Sequence, residues 1–136
     1  MIPLEPKVLP LLPRLLERGE VYLFGLFERE DGKWDILVSS AAGDKDSKET
    51  LEFLSRLLVP VLSKDELLSI SRIVIVPSRT PPMASLSRAM RVTAGSAVVE
   101  NSNFFGLQIK RAVLFRCIAP PDVNVSAVPA SVLSRK

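Results

Sequence analysis

The chain has 136 residues, 47% apolar and 24% charged, a globular composition with room for one domain. Its single cysteine, Cys117, excludes an internal disulfide and points to a reducing, cytoplasmic setting, and the absence of histidine excludes Ser-His-Asp and Cys-His nucleophiles and the common zinc sites. The net charge of +3 hides a division: residues 1–68 hold 9 Lys and Arg against 13 Asp and Glu, and residues 69–136 hold 9 against 2, which points to an acidic partner for the C-terminal half.

Val8, Leu11, Leu12, Leu15 and Leu16 recur at helical spacing and Gly19 follows as a cap, so a short amphipathic helix opens the chain. Its regular part is expected to start at Pro10 or Pro13, because neither carries an N–H. Residues 20–29 (E-V-Y-L-F-G-L-F-E-R) are apolar at odd and even positions alike, which predicts a strand covered on both sides. Glu30-Asp31-Gly32 then turns the chain into a second strand over 33–39, antiparallel to the first because the connection is so short.

A loop over 40–45 leads to a helix opened by a capping box of Asp46 and Glu49. Leu51, Leu54, Leu58, Val61 and Leu62 give that helix one apolar face, and Pro60 kinks or ends it. A second capping box, Ser63 with Glu66, opens a short helical turn before a compact strand over 72–76. Strand, helical crossover and strand make a βαβ unit, so 72–76 lies parallel to a strand of the same sheet.

Pro81 or Pro82 starts a further helix bearing Met83, Leu86 and Met90. The strand pattern returns over 97–100, turns at Asn101-Ser102-Asn103, and resumes over 104–110 and 112–118, with Gly106 as a candidate bulge. This order predicts an α/β fold with a mixed sheet of about five or six strands, an N-terminal antiparallel hairpin and one βαβ crossover. Residues 1–118 are expected to form one domain and 119–136 an extended tail. Val123, Val125, Val128, Val132 and Leu133 give the tail enough apolar area to dock on a sheet edge, its own or a second copy's. No apolar run reaches a membrane span and the first residues lack a leader pattern, so no membrane partner is expected.

Ligands of open α/β sheets gather beyond the carboxyl ends of parallel strands. Two such ends are expected: Ser39, Ser40, Gly43 and Lys45 after the second strand, and Ser78, Arg79 and Thr80 after the third. Hydroxyls, a glycine, two cations and helix N-termini on one rim suit a phosphate-bearing anion. Asp44 and Asp46 oppose it, and neither P-loop nor dinucleotide glycine spacing is present. Glu100 with Gln108-Ile109-Lys110 resembles the carboxylate-and-lysine motif of the PD-(D/E)xK nucleases, in which carboxylates hold a divalent ion. Here Gln replaces a carboxylate and no Pro-Asp pair precedes it, so the segment is read as a half-exposed strand and no metal or cofactor is expected.

A line of cations that includes Arg88, Arg91, Lys110 and Arg111, beside Phe104 and Phe105, offers phosphate contacts and stacking to a nucleic acid. No residue set with catalytic spacing stands out. The sequence therefore points to a non-catalytic binding module, a homo-oligomer facing an acidic protein or nucleic acid. The alternative is an enzyme or ligand-binding domain that holds an anion at the rim.

Overall fold

The computed structural model describes residues 4–104 and 106–121. Most of the tail predicted from residue 119 onward therefore lies outside the described residues.

Three short helical segments open the fold: α1 (Glu5–Val8), a 3-10 turn (Leu9–Leu11) and α2 (Leu12–Leu16). The helical run thus begins before Pro10, earlier than its prolines suggest. Pro6, Pro10 and Pro13 each sit at the second position of one segment, where a missing N–H leaves no intrahelical bond unmade. The prolines divide the run without ending it.

β1 (Val21–Arg29) and β2 (Trp34–Ser40) form the expected antiparallel hairpin, and Gly32 takes the positive φ that its turn needs. In place of the expected loop, Ala41–Lys45 forms a five-residue helix, α3. Ser40 Oγ accepts from the Gly43 N–H at 2.9 Å, and Gly43 is packed so closely that a Cβ would lie 2.8 Å from Ile75. Cap and glycine together lay this turn against the sheet.

α4 (Ser47–Leu58) starts at Asp46, which accepts from the Glu49 N–H at 3.0 Å, and it stops before Pro60. The Glu49 side chain does not complete a capping box; it takes Arg18 at 2.6 Å. α5 (Lys64–Leu68) carries the full Ser63–Glu66 box. β3 (Ile70–Ile75) then pairs parallel with β2, closing the βαβ unit. After α6 (Pro81–Ala89), β4 (Ala97–Phe104) and β5 (Leu107–Cys117) complete one mixed sheet in the order β3-β2-β1-β5-β4. The β4–β5 turn falls at Gly106 (φ 80°), not at 101–103, and β4 runs on through Asn101 at φ 52°. The longer strand brings Phe104 edge-on to Phe27, with ring centroids 5.3 Å apart.

The helices are divided unequally between the faces. Leu4, Val8, Leu11, Leu54, Leu58 and Leu62, in and beside α1, the 3-10 turn and α4, bury Phe24, Leu26, Ile36, Val38 and Phe115. The opposite face (Tyr22, Leu23, Phe27, Leu37, Leu114 and Cys117) receives from α6 only Met83 and Leu86. Among the described residues, α1, α2 and α4 pack on one side of the sheet and α6 on the other.

Gly25 sits at the centre, where a Cβ would stand 2.8 Å from the Val113 carbonyl oxygen and 3.0 Å from Leu114 Cδ2. Gly25→Ala is expected to destabilise the fold by about 1–3 kcal/mol, the usual cost of overpacking, read as a lower melting temperature.

Glu66 ties α5 to the N-terminal segment by accepting from Lys7 Nζ at 2.8 Å and from the Ser63 N–H at 2.7 Å. These bonds, the Lys7 bond first, pull its carboxyl below the usual range. A lowered folded pKa adds stability above the unfolded value of about 4.3 that is lost as pH falls through the folded value. The melting-temperature gap between wild type and Glu66→Gln should therefore shrink between pH 7 and about pH 3; a constant gap would show that ionisation of Glu66 contributes nothing.

Candidate functional site

The two carboxyl ends expected to form a rim do come together, since β2 and β3 are parallel neighbours and the Val76 N–H donates to the Val38 carbonyl. Asp44 and Ser78, one from each end, are spent on each other. Asp44 accepts from the Ser78 N–H at 2.9 Å and from the Ser78 hydroxyl, which pins α3 to the loop before α6. It takes the hydrogen bonds that a bound anion would otherwise receive. Ser40 Oγ is used as the α3 cap, Thr80 donates to the Pro77 carbonyl, and Ser39 is fully buried. A depression of about 450 Å³ beside this rim is lined by Lys45, but also by Asp44 and Asp46. Arg79, exposed, is not among its lining residues.

α6 offers little to an anion either. Its first two residues are Pro81 and Pro82, so two of the N–H groups that would point out of its N-terminus do not exist.

The basic residues are spread over several elements. Arg88 lies in the last turn of α6, Arg91 just beyond it, and Lys110 and Arg111 on β5. Arg111 is tied to Glu28 at 3.6 Å and lies over the Trp34 ring, while Phe104 is half-buried against Phe27. Phe105 lies outside the described residues. Acidic and basic halves interleave through the sheet: Arg72 pairs with Asp35, Arg111 with Glu28 and Arg116 with Glu20. The Glu100 motif is dispersed too, since Glu100 faces Arg111 and Gln108 faces Asn103. Among the described residues, no group of three or more Cys, Asp and Glu side chains is placed to hold a metal ion.

A second concavity lies on the face that carries α6. A groove of about 480 Å³ runs between β2, β3 and the start of α6. Phe27, Leu37, Val74 and Ile109 form its floor, with Phe104, Pro81 and Pro82 as walls. This volume falls within the range of small-molecule pockets.

The polar feature of this floor is Asp35, flanked by Arg72 across the β2–β3 ladder. Its side chain is 1% exposed. Oδ2 accepts from Arg72 Nε at 3.1 Å. Oδ1 is buried without a hydrogen bond, 3.7 Å from Arg29 Nη1, which itself donates to Ser71 at 2.8 Å. A buried acceptor left unmade is costly enough to call for an explanation.

Sequence pattern alone does not single out Asp35. The available signal is a lone acid among apolar residues of a strand that is otherwise buried at every position. Nothing in the sequence marks Arg72 as its neighbour until the parallel register is fixed.

Cys117 faces the same side, where burial pushes its thiol up to about 11, so it is no nucleophile near neutral pH. Among the described residues no helix is long and apolar enough to cross a membrane.

No family model, curated protein or solved structure matches this chain.

Proposed function

We propose that this fold is a non-catalytic binding module and that its ligand lies in the groove between β2, β3 and α6. The observation that carries the reading is the pairing of a small-molecule-sized apolar groove with a buried carboxylate that keeps an unused acceptor. The rim at Ser40, Lys45 and Ser78 is the weaker candidate, because Asp44 already takes the donors of Ser78.

A neutral apolar dye, N-phenyl-1-naphthylamine, is expected to bind the full chain with enhanced fluorescence, and Val74→Trp, which fills the groove, should weaken it at least tenfold. Equal binding by wild type and Val74→Trp would remove the groove from consideration.

A second reading is self-association. β3 and β4 are the outer strands of the sheet, and Val98 on β4 is 55% exposed. Uncovered edge strands invite pairing with another copy. Light scattering is expected to give a mass above that of one chain; a monomer at tens of micromolar protein would end this reading.

A further inference from the structure

The groove is drawn from every strand of the sheet, and its shape carries a ligand class, provided that the groove is the ligand site. Its lining takes Arg72 from β3, Asp35 from β2, Phe27 from β1, Ile109 from β5 and Phe104 from β4, in sheet order. Arg72 stands opposite Asp35 and Asp35 opposite Phe27, so the row crosses the strands instead of following one of them. Three to four steps between neighbouring strands, at about 4.8 Å each, make a track of roughly 14–19 Å. Phe104, edge-on to Phe27, stands at its far end.

Charge is confined to the near end. Among the described lining residues the charged ones are Asp35 and Arg72, and both stand at the β3 side. Asp35 is 0% exposed and acts through Arg72, whose Nε it holds at 3.1 Å. The Arg72 side chain is half exposed and makes no further hydrogen bond among the described residues, so both terminal NH₂ groups remain as donors. Arg29 lies 3.7 Å from the same Asp35 carboxylate, so two cations meet one anion and this end keeps a positive excess. Thr80, the other polar lining residue, already donates its hydroxyl to the Pro77 carbonyl.

A long apolar track with a cation at one end selects a ligand built the same way, an unbranched apolar chain ending in an anion. The paired NH₂ groups of a guanidinium match the two oxygens of a carboxylate. A sugar or a second charge would meet no partners on Leu37, Phe27 and Ile109. Carbon–carbon bonds of about 1.5 Å, zigzagged, advance about 1.3 Å per carbon, so the track holds roughly 11–15 carbons.

We propose that the groove binds a free fatty acid of about twelve carbons, its carboxylate on Arg72 and its chain laid across the strands toward Phe104.

The test is displacement of N-phenyl-1-naphthylamine from the full chain, with calorimetric titration beside it, by dodecanoate kept below its micellar range. Hexanoate is too short for the track, dodecan-1-ol lacks the charge and dodecylammonium reverses it. Dodecanoate is expected to bind saturably and each of the other three at least tenfold more weakly. Arg72→Gln should weaken dodecanoate at least tenfold while changing dye binding less than twofold. If dodecan-1-ol or dodecylammonium binds as well as dodecanoate, Arg72 receives no headgroup; if hexanoate does, the chain does not cross the strands. Either result overturns the ligand class while the groove stands, as does dye binding that dodecanoate leaves undisturbed. If neither dye nor dodecanoate binds wild type, the groove itself is wrong. Circular dichroism checks that Arg72→Gln folds, and if it does not, the wild-type ligand series decides alone.

Discussion

Every residue of β1 from Val21 to Glu28 is buried, on both faces of the sheet, and the rest of the molecule is arranged around that demand. A strand apolar on both sides needs two covering layers, each supplying apolar area at roughly 25 cal/mol per Å² removed from water. The chain supplies them unevenly. α1, α2, α4 and α5, with the 3-10 turn, all come before β3, and the core built by α1 through α4 lies on one face. Among the described helices, α6, nine residues long, is the one that packs on the other side. Phe27 and Leu37, both buried, and Val74, partly buried, line the groove beside the start of that short helix.

Much of this architecture was legible from residues whose local chemistry admits one reading. Asp31-Gly32 fixed the hairpin, the Ser63–Glu66 box placed α5, and the long helical stretch between β2 and β3 required a parallel pair. The errors arose where tertiary contact outvoted local pattern. Ala41–Lys45 has too little apolar periodicity to announce a helix, yet Ser40 caps it and Gly43 docks it on Ile75. Asn101-Ser102-Asn103 has turn composition, yet pairing with β5 carries the strand through it until Gly106 turns at lower steric cost.

The candidate site was less legible than the fold, for a physical reason. Rim residues advertise themselves as loop chemistry, with hydroxyls, glycines and charges in short runs. Asp35 sits alone in a buried strand, and its meaning depends on Arg72, thirty-seven residues on, meeting it through the parallel register. The same interleaving explains why the acidic and basic halves do not translate into separate faces. Arg72, Arg111 and Arg116 spend charge on Asp35, Glu28 and Glu20, which removes them from any simple basic patch. The Arg116–Glu20 pair, whose carboxylate is half exposed, contributes little to stability. The buried carboxylate of Asp35 matters more, because it has no water to fall back on.

Pro81 and Pro82 connect the closing of the rim to the opening of the groove. A helix beginning with two prolines is well started, since both φ angles are preset, but it presents fewer N–H groups beyond its end. Phosphate capture at a helix N-terminus depends on those groups. The same pyrrolidine rings are apolar and exposed, and they form a wall of the groove opposite Leu37 and Val74. One dipeptide thus removes donors from the place where α/β sheets usually hold anions and adds apolar surface a few residues away. With Asp44 taking the Ser78 donors, the carboxyl rim keeps fewer donors for an anion, while Arg72 and Thr80 line the groove beside the buried Asp35.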